Sequence, residues 1–367
     1  MVRKDLSMDK LFSNERVNSG RQAELDLAKC LSICFMIFLH CYFVTAGFQH
    51  DISQFMTRGI AQFLGCPFAA PVFMFAMGVG MVYSRNQDPS YMVRRGVKLM
   101  LLGIVVNVGE FFLPHFLAGK LLGEWDIFPT AGGLLLFCID ILAFAGMAFI
   151  LIGELKRTKL SAKGMVIVGL ILSIAGSFLR FRDFGGNIQN LIAGYFVGSA
   201  GGFTAFPLFN WFIFPTMGLL FGEYYIRCKD KKKLLCLWPV GLVISIVYFV
   251  TSWTRPEGFL SETHHYYFMT TIDAVFCLLC IYGVIGLCNL IIGVLPDKAV
   301  KFFSKTSSNL NAIYVIQWYL IPVTYIFIVY FNRNIVFGDL SLIVIGVIEI
   351  IISTALAEAY KRVKEGK

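Results

Sequence analysis

One stretch of the chain, ELDLAKCLSICFMIFLHCYF, puts three ionisable side chains on a single helical stripe. At 3.6 residues per turn, Lys29 and His40 fall about 20° apart around the axis. Asp26 lies within about 40° of His40 and about 21 Å along the same helix. An imidazole titrates near neutral pH, so His40 is a candidate general base. The same position also suits a histidine that hydrogen-bonds a neighbouring helix and packs. A second candidate, Asp140, stands near the centre of LLFCIDILAFAG. In apolar surroundings a carboxyl must be paired, hydrated or protonated. Asp140 can therefore orient His40 or relay a proton, and it can equally tie two helices together.

The segment YMVRRGVKLML spaces Arg94 and Lys98 at i,i+4, with Arg95 three residues before Lys98. Three cations at a helix start suit phosphate groups, because Arg offers a planar fork and Lys a point charge. Ordinary basic flanking of a membrane helix produces the same pattern. Asn107 and Glu110 share one face further along, and Glu349 in a late apolar run reads as structural. Asn210, Trp211, Asn309, Asn311 and Gln317 open two other apolar runs. Such groups bridge helices or bind sugar hydroxyls. His264 and His265, in ETHHYYF near Asp273, are adjacent and differ from the HExxH spacing of a zinc site, so no metal is expected. Cys277 and Cys280 form a CxxC without a second pair, which reads as packing. Motifs of serine hydrolases, Walker loops and dinucleotide-binding turns are absent.

The elements that position these residues follow from composition. Of 367 residues, 57% are hydrophobic, 15% aromatic and 15% charged, with mean hydropathy +0.72. Soluble domains carry about 25% charged residues, so a water-soluble enzyme, a secreted disulfide scaffold and a nucleic-acid-binding domain are excluded together. Apolar runs near 24–47, 60–83, 96–113, 131–152, 163–179, 206–226, 234–253, 269–293, 308–331 and 338–357 predict an all-α polytopic membrane helical bundle of about ten transmembrane helices. Of the 32 Lys and Arg, only Arg58, Lys120, Arg180, Arg182, Arg255 and Arg333 fall on one side of such a bundle. The rest crowd the other side, so the positive-inside rule places both termini in the cytoplasm. One transmembrane domain over 24–359 is expected between basic tails at 1–23 and 360–367. The first apolar run is too long for a cleavable signal and reads as an anchor. The outward segment 180–205 has a short apolar middle, 188–197, that suits an interfacial or re-entrant helix. This pattern fits a bacterial plasma membrane; the lipid bilayer is the expected partner and nucleic acid is not.

Taken together, four pieces resemble the transmembrane acyltransferase superfamily, which groups the acyltransferase-3 family with heparan-α-glucosaminide N-acetyltransferase-like proteins. Arg21 through His40 is similar to its opening pattern of Arg, Leu-Asp, an apolar run and a His. FLGCPFAAPVFMFAMGVGMVYSRN resembles its second helix. FPLFNWFIFPTMGLLFGEY resembles a Phe-Pro-Leu-x-x-Trp helix with two later glycines, and SSNLNAIYVIQWYLIP a late Asn-x-Leu-x-x-Tyr motif. The resemblance covers nearly the whole chain. It implies transfer of an acyl group, expected to be acetyl, from cytoplasmic acyl-CoA to a hydroxyl or amino group of a carbohydrate or glycan acceptor.

By that resemblance His40 would be the catalytic histidine, and Arg95 and Lys98 would stand on the acyl-CoA side. The residues themselves add Asp140 as a catalytic candidate, Lys29 and Arg94 as candidates for binding acyl-CoA, and Asn210, Trp211, Asn311 and Gln317 as candidates for meeting the acceptor. Lys98 replaces an Arg of the family's Arg-x-x-Arg pair, Lys29-Cys30 replaces Arg-Gly, and Gln317 stands where many relatives carry a second His. A proton-coupled transporter or flippase of a small or lipid-linked sugar is the alternative, and a non-catalytic scaffold of the same fold is a third. A homodimer is compatible with each.

Overall fold

The computed structural model describes residues 11–201, 204–252 and 266–366, and their architecture is helical. The central helix α1 (Ala23–Thr45) is largely buried along its length. Around it and beside it stand α2 (Ala70–Tyr83), α3 (Pro89–Asn107), α4 (Ile141–Arg157) and α5 (Ala162–Leu179). A short helix α6 (Asn187–Gly194) precedes α7 (Ile213–Tyr225) and α8 (Trp238–Ser252). Then follow α9 (Thr271–Ile292), α10 (Asp297–Ser307), α11 (Leu310–Phe331) and α12 (Asp339–Lys364). Helix α1 touches α2, α9, α10, α11 and α12, as an element that is apolar all round must be enclosed on most sides. Among the described residues a two-residue strand pair joins His50–Asp51 to Phe337–Gly338 in parallel, beside a few isolated bridges.

Local chemistry starts these helices. The Asp88 side chain accepts from Tyr91 N–H at 3.0 Å ahead of α3, with Pro89 in the first turn. Ser161 accepts from Gly164 N–H before α5, and Thr270 with Asp273 forms a reciprocal capping box before α9. Each satisfies donors that a helix start leaves open. Between helices, small residues set the spacing. A Cβ on Gly78 of α2 would lie 2.0 Å from the Pro215 carbonyl oxygen of α7. A Cβ on Gly96 of α3 would lie 2.5 Å from the Gly146 oxygen of α4. Backbones approach this closely only where no side chain intervenes.

Six stretches among the described residues are long and apolar enough to cross a membrane: Ala23–Thr45, Pro89–Leu122, Ala162–Leu179, Thr271–Ile292, Leu310–Phe331 and Asp339–Lys364. Three of the expected continuous runs differ, two by breaking and one by starting late. Run 60–83 is a π-helical stretch, Thr57–Leu64, a turn, and then α2. Pro67 lies in that turn, where it bars a continuing helix. Run 131–152 begins as a 3-10 segment, Ala131–Phe137, with Gly132 at φ 64° and Gly133 at φ 96°. Asp140 is therefore the residue before α4, not a mid-helix residue. Run 206–226 becomes helical only after Pro207, with Leu208–Trp211 leading through Phe212, itself in helical conformation, into α7.

The third helix runs further than expected. Beyond α3 the chain stays helical to Leu122 through two π-helical stretches, Val108–Phe112 and Ala118–Leu122. Both expected tails are structured where described. Phe12 bridges to Cys228, Ser13 N–H donates to the Arg227 oxygen, and α12 carries the chain helically to Lys364. Helix α6 forms inside the expected interfacial segment and exposes Ile188 and Ile192. His264 and His265 lie outside the described residues.

Candidate active site

Four interruptions of helix converge on one small cavity of about 60 Å³. Its wall includes Gly65 and Ala69 from the break before α2, Cys138 and Asp140 from the break before α4, Phe206 before the Leu208 turn, and Tyr266 and Tyr267 before α9. Backbone freed from a helix inside an apolar bundle must find other partners, and polar side chains supply them here. Ser32 Oγ donates to Ala69 O at 2.6 Å. Asn107 Nδ2 donates to both Leu136 O and Cys138 O at 2.9 Å. Asn210 Nδ2 donates to Met269 O at 2.9 Å, and Trp211 Nε1 to Tyr267 O at 2.8 Å. Ala205 N–H donates to Ile139 O at 3.0 Å, joining two of the breaks to each other.

His40 faces this cavity from α1. Its ring stacks on Trp318, with centroids 4.0 Å apart and planes at 28°. Trp318 Nε1 donates to Tyr314 Oη at 2.9 Å, and Tyr314 Oη donates to Asp140, 2.7 and 2.8 Å from its two oxygens. Imidazole and carboxylate are thus linked through a stacked indole and a phenol. Tyr314, Gln317 and Trp318 sit at i, i+3 and i+4 on α11, which places them on one face. Gln317 lies beside the imidazole. His40 Nδ1 and both amide atoms of Gln317 have no hydrogen-bond partner among the described residues. Glu110, in the π-helical stretch beyond α3, lines the same cavity with its Oε2 buried and unpartnered. Such bulges in α-helices recur at functional sites, because they re-aim side chains.

A second, much larger cavity of about 990 Å³ opens toward the other end of α1. Lys29, Arg95, Asn309, Lys361 and Lys364 bring polar groups to its mouth, while Phe73, Leu102 and Leu142 line its depth. The Arg95 guanidinium stands 4.8 Å from the Phe149 ring centroid. Consecutive residues of two segments line different cavities. Ile141 borders the small one and Leu142 the large one, as do Tyr314 and Val315 on α11.

The rim is held by Asp26, which is 3% exposed and serves four partners. Arg21 and Lys29 pair with it, while Ser304 Oγ and Ser307 Oγ donate to it at 3.2 and 2.6 Å. This knot docks α10 on the first turn of α1, so the Arg and Leu-Asp of the opening motif meet in space. Nearby, Lys231 pairs with buried Glu24 at 2.7 Å, closing the connection after α7 onto the same turn.

The residues expected to do chemistry are thereby sorted. His40 and Asp140 line one cavity without touching; Lys29 and Arg95 line the other. Arg94 and Lys98 do not join them. They share the helix face of Leu101 and Val105, which are 59% and 45% exposed, and point away from the large cavity. Asn311, expected near the acceptor, borders the large cavity with Lys29 and Arg95. Asn210 and Trp211 stand one layer behind the small cavity, with donor groups given to the backbone that carries Met269 and Tyr267. Gln317 is fully buried beside His40. Glu349 accepts from Thr324 Oγ1 at 2.6 Å, away from both cavities. Tyr314, Trp318, Lys361 and Lys364 were not singled out in the sequence. The helical spacing of Ala357, Tyr360, Lys361 and Lys364 on one face of α12 was the available signal.

Among the described residues, no group of three His, Cys, Asp or Glu side chains could hold a metal ion. A family model described as an acyltransferase domain, of the acyltransferase-3 type, matches residues 22–358. No curated protein and no solved structure matches the chain.

Proposed function

The chain belongs to the acyltransferase-3 family of membrane acyltransferases, and from that premise we propose that it carries an acyl group, most simply acetyl, from cytoplasmic acyl-CoA to a carbohydrate or glycan acceptor. The observation that carries this reading is the pair of cavities. A large chamber lined by Lys29, Arg95, Lys361 and Lys364 has Leu142 and Val315 in its wall, and their chain neighbours Ile141 and Tyr314 line a small pocket containing His40. Its volume of about 990 Å³ matches the upper range of ligand pockets, about 300–1,000 Å³. Lys29, Arg95, Lys361 and Lys364 would hold the phosphates of CoA, and the apolar depth would take the pantetheine arm and acyl chain.

In this scheme the thioester carbonyl reaches the layer formed by Ile141, Leu142, Tyr314 and Val315. His40 removes the proton of the acceptor as it attacks, and the thiolate of CoA leaves. A transient acyl group on His40 is a chemically equivalent route. The starts of α2 and α4 border the small pocket, and their backbone N–H groups would stabilise the oxyanion. Trp318 and Tyr314 fix the imidazole between them. Six long apolar stretches, if α2, α4, α7 and α8 cross as well, would make ten spans, and the distribution of Lys and Arg would then put both termini in the cytoplasm. On that topology the large cavity opens to the cytoplasm, where acyl-CoA is made, and the small one toward the outer leaflet of a bacterial plasma membrane.

The test is consumption of radiolabelled acetyl-CoA by the purified protein in detergent, compared with His40→Ala. Hydrolysis or transfer that disappears in the variant supports the proposal. If folded wild-type protein neither binds nor consumes acyl-CoA, the proposal is lost. A second reading has one observation in its favour: broken helices at mid-bundle also line the sites of transporters. Substrate flux across vesicles without acyl-CoA consumption would select it.

A further inference from the structure

On the acyltransferase reading, the small pocket points to the chemical class of the acceptor. Two carboxyl groups, Glu110 and Asp140, line it together with His40 and are close enough to interact. They are not equivalent. Asp140 accepts from the Tyr314 hydroxyl, which lies 2.7 and 2.8 Å from its two oxygens, and it stands immediately before α4. Glu110 Oε2 is buried with no partner among the described residues. His40, only 7% exposed, has its Nδ1 in the same condition. Aromatic side chains, Phe206, Tyr266, Tyr267 and Trp318 among them, share the remaining wall with aliphatic ones such as Met36, Leu39 and Ile141.

A buried carboxylate in an apolar bundle needs a cation or a donor, and aromatic faces attract positive charge at short range. The pocket is small, about 60 Å³ against about 990 Å³ for the large cavity, and it receives the reacting end of an acceptor. We propose that the acceptor presents a primary amine, seated as an ammonium against Glu110, and that the product is an amide.

The proton and bond balance follows directly. The ammonium gives one proton to Glu110 and becomes a free amine. Its lone pair attacks the thioester carbonyl, the C–N bond forms and the C–S bond breaks. His40 takes the second amine proton and passes it to the departing CoA thiolate. The proton on Glu110 leaves to water, so one proton is released for each amide made.

The experiment gives wild-type protein radiolabelled acetyl-CoA and a total extract of envelope glycans and lipids, then treats the product with mild alkali or neutral hydroxylamine. Both reagents release esters and spare amides. Label that survives supports the proposal; label that is released overturns it and leaves the acyltransferase reading intact. Absence of any acetyl-CoA consumption by folded protein overturns both. In Glu110→Gln, the half-saturating concentration of extract should rise by about tenfold, the equivalent of about 1.4 kcal/mol, with that for acetyl-CoA unchanged. A rise confined to acetyl-CoA, or no rise, overturns the assignment of Glu110.

Discussion

Tyr314 is the residue through which the pocket coheres, because its hydroxyl both accepts from Trp318 and donates to Asp140. Tyr314→Phe keeps the ring and leaves the Asp140 carboxylate short of a donor. Losing a buried hydrogen bond of this kind costs about 1–3 kcal/mol. The variant should therefore unfold at lower temperature in detergent and turn over acyl-CoA at least about tenfold more slowly. Trp318 separates two contributions. Trp318→Phe retains a ring against His40 but removes the N–H, whereas Trp318→Ala removes both. Turnover should fall in the order wild type, Phe, Ala. Equal losses in the two variants would show that the indole N–H, rather than the stacking, is what matters.

At the scale of the element, the helix breaks and the side chains that satisfy them form one system. Helices α3 and α4 can meet closely enough to aim Arg95 and Asp140 because Gly96 faces Gly146. Gly96→Leu must displace a backbone carbonyl, and overpacking of this type costs about 1–3 kcal/mol. Gly80→Ala on α2 is the matched control, since a Cβ there meets nothing within 4 Å. It should leave thermal stability unchanged or raise it by about 0.5–1 kcal/mol, the usual gain of Ala over Gly inside a helix. Denaturation followed by tryptophan fluorescence distinguishes the two. Were Gly96→Leu as stable as wild type, the close approach of α3 and α4 would not be needed.

The whole molecule places its two cavities at different depths, and that arrangement depends on topology. Among the described cysteines only Cys236 is exposed, in the connection between α7 and α8. With a cytoplasmic N-terminus, a membrane-impermeant maleimide should modify Cys236 in inverted vesicles and spare it in intact cells. The reverse pattern would invert the bundle and move the large cavity to the outside. Lys361→Ala with Lys364→Ala should raise the KM for acyl-CoA, by about tenfold if each loses a phosphate contact of about 0.7 kcal/mol, with kcat little changed. That outcome would assign the end of α12 to donor binding.

Much of this was legible along the chain, because the bilayer imposes length and apolarity on any segment that crosses it. The helical class and the stripe that carries Lys29 and His40 follow from short-range spacing, and the family from the resemblance of four motifs, whereas Asp140 read as a mid-helix residue and stands instead before α4. A helix wheel relates residues of one segment and says nothing about which neighbour each face meets. Hence Arg94, Arg95 and Lys98 read as one cluster, although with α3 packed against α4 and α11 only Arg95 of the three lines the cavity. Asn107, Asn210 and Trp211 read as candidate ligands, yet they hold backbone that helix breaks set free. Those breaks are themselves partly local, at Pro67, Gly132, Gly133 and Pro207, but their convergence is not. Only the tertiary fold decided that Glu110, Asp140, Tyr314, Trp318 and His40, drawn from distant segments, share one pocket, because a buried polar group is satisfied by whatever the packed bundle brings within reach.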